Sequence, residues 1–184
     1  TENAYIAGEF AYTDAYFKSP QGFGRYNLFG KYTGQLGERT HITLSGSTFS
    51  AKWDASGQVP ERAVQNGTID RFGAIDDREG GNTQRTNAYA TLVSGTLNGG
   101  SFKNQIYFVK YDFELFSNFT FFANDSVNGD MIAQTDDRTI MGYNGSYAVK
   151  THLGSRSLKL VAGAGLRYDQ ADIALKNAVE RVVL

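Results

Sequence analysis

Between Trp53 and Arg85 the chain concentrates groups able to hold a ligand: Glu61, Arg62, Asp70, Arg71, Asp76, Asp77, Arg78, Glu79 and Arg85, with Trp53 and Phe72 among them. Arginine forks pair with carboxylates or catecholates through two charge-assisted hydrogen bonds. An indole or phenyl ring stacks on a flat ligand or a sugar. Trp53, Arg62, Arg71, Phe72, Arg78 and Arg85 are therefore the candidate ligand contacts. The competing reading is that these charges pair with one another and stiffen a long solvated loop, the usual fate of surface charges. Asp76 and Asp77, like Asp136 and Asp137, offer oxygens to a hard cation such as Ca²⁺. Neither pair has the Asp-x-Asp-x-Asp-Gly spacing of a strong loop site, so solvated turns are the simpler reading.

Other chemistries find little footing. The chain has no cysteine, which removes thiolate metal sites, disulfides and a cysteine nucleophile. A formal charge of −1 gives no basic field for nucleic acid. No Gly-x-Ser-x-Gly and no framed pair of acids points to catalysis, so a non-enzyme is expected. The glycine runs at 98–100 and 163–165 lack a Walker lysine or a following helix. His41 and His152 flank or occupy short turns, away from the long links, and Met131 is the one methionine in such a link. No resident cofactor or metal is expected from these residues.

The elements that must position the charged segment are β-strands. Residues 25–36 alternate: Arg25, Asn27, Lys31, Thr33 and Gln35 against Tyr26, Leu28, Gly30, Tyr32, Gly34 and Leu36, with Phe29 the exception. A period of two places these sets on opposite faces of a strand, one about twice the usual soluble length. Seven strands are expected, near 3–17, 24–36, 40–53, 84–97, 102–114, 138–149 and 157–169. Two prolines, 21 glycines, 13 phenylalanines and 11 tyrosines fit an all-β protein. No apolar run is long enough for a transmembrane helix, a test that β-barrels escape. The tail at 171–184 has apolar residues at spacing closer to helical than alternating, and reads as a poor eighth strand.

Short turns at 37–39 and 98–100, and a somewhat longer joint at 150–156, alternate with long links near 54–83 and 115–137. In an antiparallel meander that gathers short turns at one end and long loops at the other, as outer-membrane barrels do. Seven is odd, and an isolated arc leaves two unpaired edges, so a piece of a larger barrel is expected.

Residues 23–32 (FGRYNLFGKY), 53–64 (WDASGQVPERAV), 69–77 (IDRFGAIDD), 79–81 (EGG), 111–113 (YDF) and 117–120 (SNFT) resemble the barrel portion of TonB-dependent outer-membrane receptors. The resemblance implies an antiparallel transmembrane β-barrel of 22 strands, of which these make about seven. It further implies a plug inside the barrel and active import of a scarce nutrient, such as a siderophore or metal chelate. Partners would be outer-membrane lipid, the small-molecule ligand, and a periplasmic TonB coupling protein that acts through the plug, in the outer membrane of a Gram-negative bacterium. Residues 1–184 contain no match to that plug, its coupling box, or a last strand ending in an aromatic, so the implied transport belongs to a longer polypeptide. Two other classes fit the alternation less closely: a small complete barrel with a structural or adhesive role, and a soluble ligand-binding β-sandwich.

Overall fold

In a computed structural model describing residues 2–184, the chain forms a single antiparallel sheet in strict meander order. The strands are β1 (Asn3–Thr13), β2 (Phe23–Gly37), β3 (Thr40–Ala55), β4 (Glu79–Gly95), β5 (Ser101–Ser117), β6 (Ile132–Leu153), β7 (Arg156–Val179) and the two-residue β8 (Val182–Val183). One five-residue helix, α1 (Glu61–Gln65), lies in the β3–β4 link. The sheet does not close: β1 pairs only with β2, and β7 only with β6 and the short β8.

The all-β meander matches the expected fold class, while several boundaries move. β1 stops at Thr13, four residues early, and Ala15 just beyond takes φ +56, which a continuing strand does not tolerate. β4 begins at Glu79 because Gly80 and Gly81 belong to the ladder. A Cβ on Gly80, at φ +141, would lie 2.4 Å from the Trp53 carbonyl oxygen. A Cβ on Gly81 would lie 2.2 Å from that of Glu114. These glycines permit close strand approach rather than mark a loop. The tail is not helical in character: 171–179 extends β7, paired with the equally extended start of β6 from Ile132↔Asn177 onward. Its alternation fades because Ile173 and Leu175 fall on the face opposite Leu166 and Tyr168. The joint between β6 and β7 is also tighter than expected, a Gly154-Ser155 turn with Gly154 at φ +63.

Directly paired residues share a face, so the registers define transverse rows. One row runs Ala4, Tyr32, Leu44, Ala90, Ile106, Tyr143, Leu166. The next runs Ile6, Gly30, Gly46, Ala88, Phe108, Met141, Tyr168. Together they make an apolar face across seven strands. The opposite face carries Glu9, Arg25, Asn27, Lys31, Asn87, Gln105, Asn144 and Arg167. There Phe29, the exception in the alternation, packs on Tyr5 with ring centroids 6.0 Å apart.

The apolar side chains are not gathered into a dry centre. Leu28 is 53% exposed, Ile106 58% and Leu166 75%. An open trough of about 960 Å³ follows the two rows from β1 to β7, and no residue of the long links lines it. The small buried cluster of Phe116, Met131, Ala133 and Ala178 sits instead at the loop end of β5–β7.

Candidate functional site

Short connections lie at one end of the sheet (residues 38–39, 96–100 and 154–155), and the links 14–22, 56–78 and 118–131 at the other. The candidate residues all belong to this loop end or the strand tops beneath it, but the structure divides them among separate places.

Trp53 stands on the polar face of β3 and lines a groove of about 490 Å³ with Phe23, Arg25, Phe49, Ala51 and Thr83. Arg25, Ala51 and Thr83 form one transverse row, and the small, buried Ala51 leaves the floor open between the Phe49 and Trp53 rings. The Arg25 guanidinium donates to the Glu9 carboxylate, while Asn27 donates to the other Glu9 oxygen at 2.9 Å. Phe23, Phe49 and Arg25 were absent from the expected contacts. Their shared odd-numbered parity with Trp53 across β2 and β3 is the sequence signal that groups them.

Arg62, exposed on α1, borders a smaller hollow with Ile75 and Phe122. Arg71 is exposed in the turn at 70–73, and Phe72 meets Tyr16 edge-on at 5.8 Å. Among the described residues neither Arg62 nor Arg71 makes a side-chain hydrogen bond or ion pair. Both guanidiniums are thus available. Arg85 donates through Nε to Asn87 Oδ1 at 3.1 Å on the polar face.

Arg78 is committed to structure, as the competing reading of these charges has it. It pairs with Asp76 at 3.2 Å and with Glu180. Asp76, only 3% exposed, also accepts the Arg78 backbone N–H at 3.0 Å and the Asn118 amide Nδ2 at 2.9 Å. Its oxygens are occupied, Asp77 is exposed, and no group of three acidic or histidine side chains able to hold a metal occurs among the described residues. Asn118, itself buried, donates its backbone N–H to Glu79. Burial pushes the Glu79 carboxyl up, the Asn118 N–H partly offsets this, and the nearby Asp76 charge adds to the rise.

Arg181 closes the assembly. It sits with Glu180 in the left-handed turn joining β7 to β8, at φ +67 and +53. Its guanidinium bonds Asp54 at 2.6 Å and the backbone carbonyls of Arg78 and Glu79 at 2.6 and 2.9 Å, and lies over the Phe116 ring. The three loop-end connections of β3–β4, β5–β6 and β7–β8 are therefore clasped together by Asp54, Asp76, Glu79, Asn118 and Arg181. This clasp joins residues more than a hundred positions apart, so no local spacing announces it.

The 118–131 link is organised from within. Asp130 accepts Thr120 Oγ1 at 2.6 Å and the backbone N–H groups of Asn124 and Asp125 at 2.9 Å each. These bonds hold its carboxyl down to about 2. A depressed carboxyl contributes stability above its unfolded value of 3.8, lost as pH falls through about 2. The link should keep its order at pH 5 and loosen in that acid window. A ¹³C titration of the Asp130 carboxyl is expected to have its midpoint near 2; an ordinary midpoint would mean these hydrogen bonds are not made.

Comparison with family models, curated proteins and solved structures finds no match for this chain.

Proposed function

We propose that this sheet is an arc of an outer-membrane β-barrel of the TonB-dependent receptor kind. The polypeptide that carries it imports a scarce nutrient, a siderophore, metal chelate or similar small ligand, with energy delivered by the periplasmic TonB protein through a plug. The observation that carries the reading is the uncovered apolar face. Seven strands present leucine, isoleucine, tyrosine and phenylalanine side chains to the outside, and no link or helix lies over them. A soluble sandwich packs such a face about 10 Å from a second sheet. Lipid covers it without further protein, and a polar face turned to a wet interior completes the pattern of a membrane wall.

The ligand side of this proposal is the polar face and the loops above it. There the groove at Trp53 offers aromatic walls beside a guanidinium, and Arg62 and Arg71 stand free overhead. Loops held on a rigid scaffold are where binding residues concentrate. Two experiments on the full-length polypeptide test the two halves. In detergent, the unheated protein should migrate apart from the boiled one, and identical migration overturns the barrel. In cells, Arg62→Ala with Arg71→Ala should lower uptake of ferric chelates about tenfold, the loss of roughly one charge-assisted hydrogen bond. Unchanged uptake removes the loop arginines from the site.

A further inference from the structure

We infer that the groove at Trp53 takes an uncharged saccharide of at least two linked rings; the inference rests on the reading above of the polar face as the ligand side. The aromatic walls carry it first. Phe49 and Trp53 lie four residues apart on β3, about 13 Å along the strand, with the small Ala51 between them. Phe23 joins Trp53 one step beyond Gly24↔Lys52, the last ladder pair of β2 and β3 at that end. Elsewhere on this face rings cover one another: Tyr89 stacks with Tyr107 at 6.3 Å and Tyr111 with Phe113 at 6.4 Å. Among the described residues Phe23, Phe49 and Trp53 pair with no other ring. Gly81, opposite Trp53 on β4, brings no side chain against the indole. The ring faces are left for a ligand.

The charges select its kind. Among the described residues Arg25 and Asp54 are the charged side chains that line the groove. Glu9 neutralises the Arg25 guanidinium, and Arg181 neutralises Asp54 at 2.6 Å. Asp54 gives Oδ1 to that pair, which leaves Oδ2 as an open acceptor. Such an oxygen repels the carboxylates and catecholates of an anionic chelate, and accepts from a hydroxyl. Arg85, the ladder partner of Phe49, turns its guanidinium to Asn87 and does not line the groove.

The remaining polar groups both donate and accept. Thr83 Oγ1 donates to the Asp112 carbonyl at 3.3 Å and keeps lone pairs to accept, and the Gln21 amide does both. Arg25 keeps guanidinium N–H groups beyond the one given to Glu9. A pyranose ring matches this set. Its C–H face lies on an aromatic ring, while its rim carries hydroxyls that donate and accept at once. The footprint exceeds one ring, because the floor row Arg25, Ala51, Thr83 also crosses three strands, about 10 Å at the usual strand spacing. Two linked sugar rings reach both aromatic walls, where a single ring stacks on one.

The test applies the full-length polypeptide, in a zwitterionic detergent free of sugar, to an array of neutral and uronate-bearing oligosaccharides of graded length. It should retain neutral oligosaccharides in preference to single sugars and to acidic ones. Affinity for the best-retained one should fall about tenfold in Trp53→Ala and in Phe49→Ala, the loss of one stacking ring. Ferric citrate, titrated alongside, should lose no affinity from either substitution. Retention of no neutral oligosaccharide, retention of acidic ones only, or an affinity unmoved by both substitutions overturns the saccharide. A tenfold loss for ferric citrate instead gives the groove to an anionic chelate, which overturns the saccharide and leaves the import reading standing. Identical migration of the heated and unheated unsubstituted protein overturns the membrane reading, whatever the array retains. Heat-modifiable migration of each variant shows that it has folded. Thr83→Val, which keeps the shape and removes the hydroxyl, should lower the same affinity several-fold and replaces an aromatic truncation that does not fold.

Discussion

Tyr32→Arg is expected to abolish most membrane assembly of the full-length polypeptide, while Lys31→Ala leaves it near the unsubstituted level. The two residues are neighbours in β2 and differ chiefly in the face they occupy. Tyr32 lies in the transverse row between Leu44 and Ala4, near the middle of the apolar band. An arginine facing lipid at that depth costs about 2–4 kcal/mol. Lys31 projects from the polar face, where truncating an exposed side chain changes stability by about 0.5 kcal/mol or less. The measurement is the fraction of heat-modifiable, folded protein recovered from outer membranes for each variant. Equal recovery would remove the facing assignment. A soluble sheet with Tyr32 at its exposed surface would also tolerate the arginine, so the same comparison separates the two settings.

The middle of each strand was legible in sequence and its ends were not, for one physical reason. Within the apolar band, one face of each strand is apolar and the other polar, which gives a period of two, and residues 25–36, 42–48 and 158–168 display it. Toward the loop end polar residues occur on both faces, Asp112 and Asp137 on one and Asp136 and Arg138 on the other, so the alternation fades. Asp136 and Asp137 look like loop residues yet form regular ladder pairs with Phe113 and Asp112. Ile173, Leu175 and Ala178 read as helical spacing because the strand there presents apolar groups to both sides. Glycine misled in a related way. At 80 and 81 it admits a neighbouring backbone rather than a turn.

The charged loop was legible as a cluster but not as a division of labour. Composition alone cannot separate Arg62 and Arg71, which stay free, from Arg78, which is drawn into contact with Asp76 and Glu180. That separation depends on Asn118 and Arg181 arriving from distant links. The groove at Trp53 was half legible, since the tryptophan stands out in sequence. Its companions Phe23, Phe49 and Arg25 acquire meaning only once β2 and β3 are in register.

Asp76→Leu tests whether the clasp holds the loop end, and is expected to destabilise it by about 2–4 kcal/mol. Most of the loss should come from Asn118, whose amide is buried and would keep neither its Asp76 acceptor nor access to water. The Arg78 backbone N–H also loses its acceptor. The Arg78 ion pair itself adds little, because that side chain is 38% exposed and its charge is screened by solvent. Replacing Asn118 as well, with leucine, removes one of the stranded partners, so the double variant should be less unstable than the sum of the single changes. Limited proteolysis reads the effect locally. Cleavage within 56–78 and 118–131 should rise together in Asp76→Leu, because the buried Asp76–Asn118 bond joins the two links. Cleavage confined to 56–78, or a strictly additive double variant, would show that the links fold independently and that the buried acid is not what joins them.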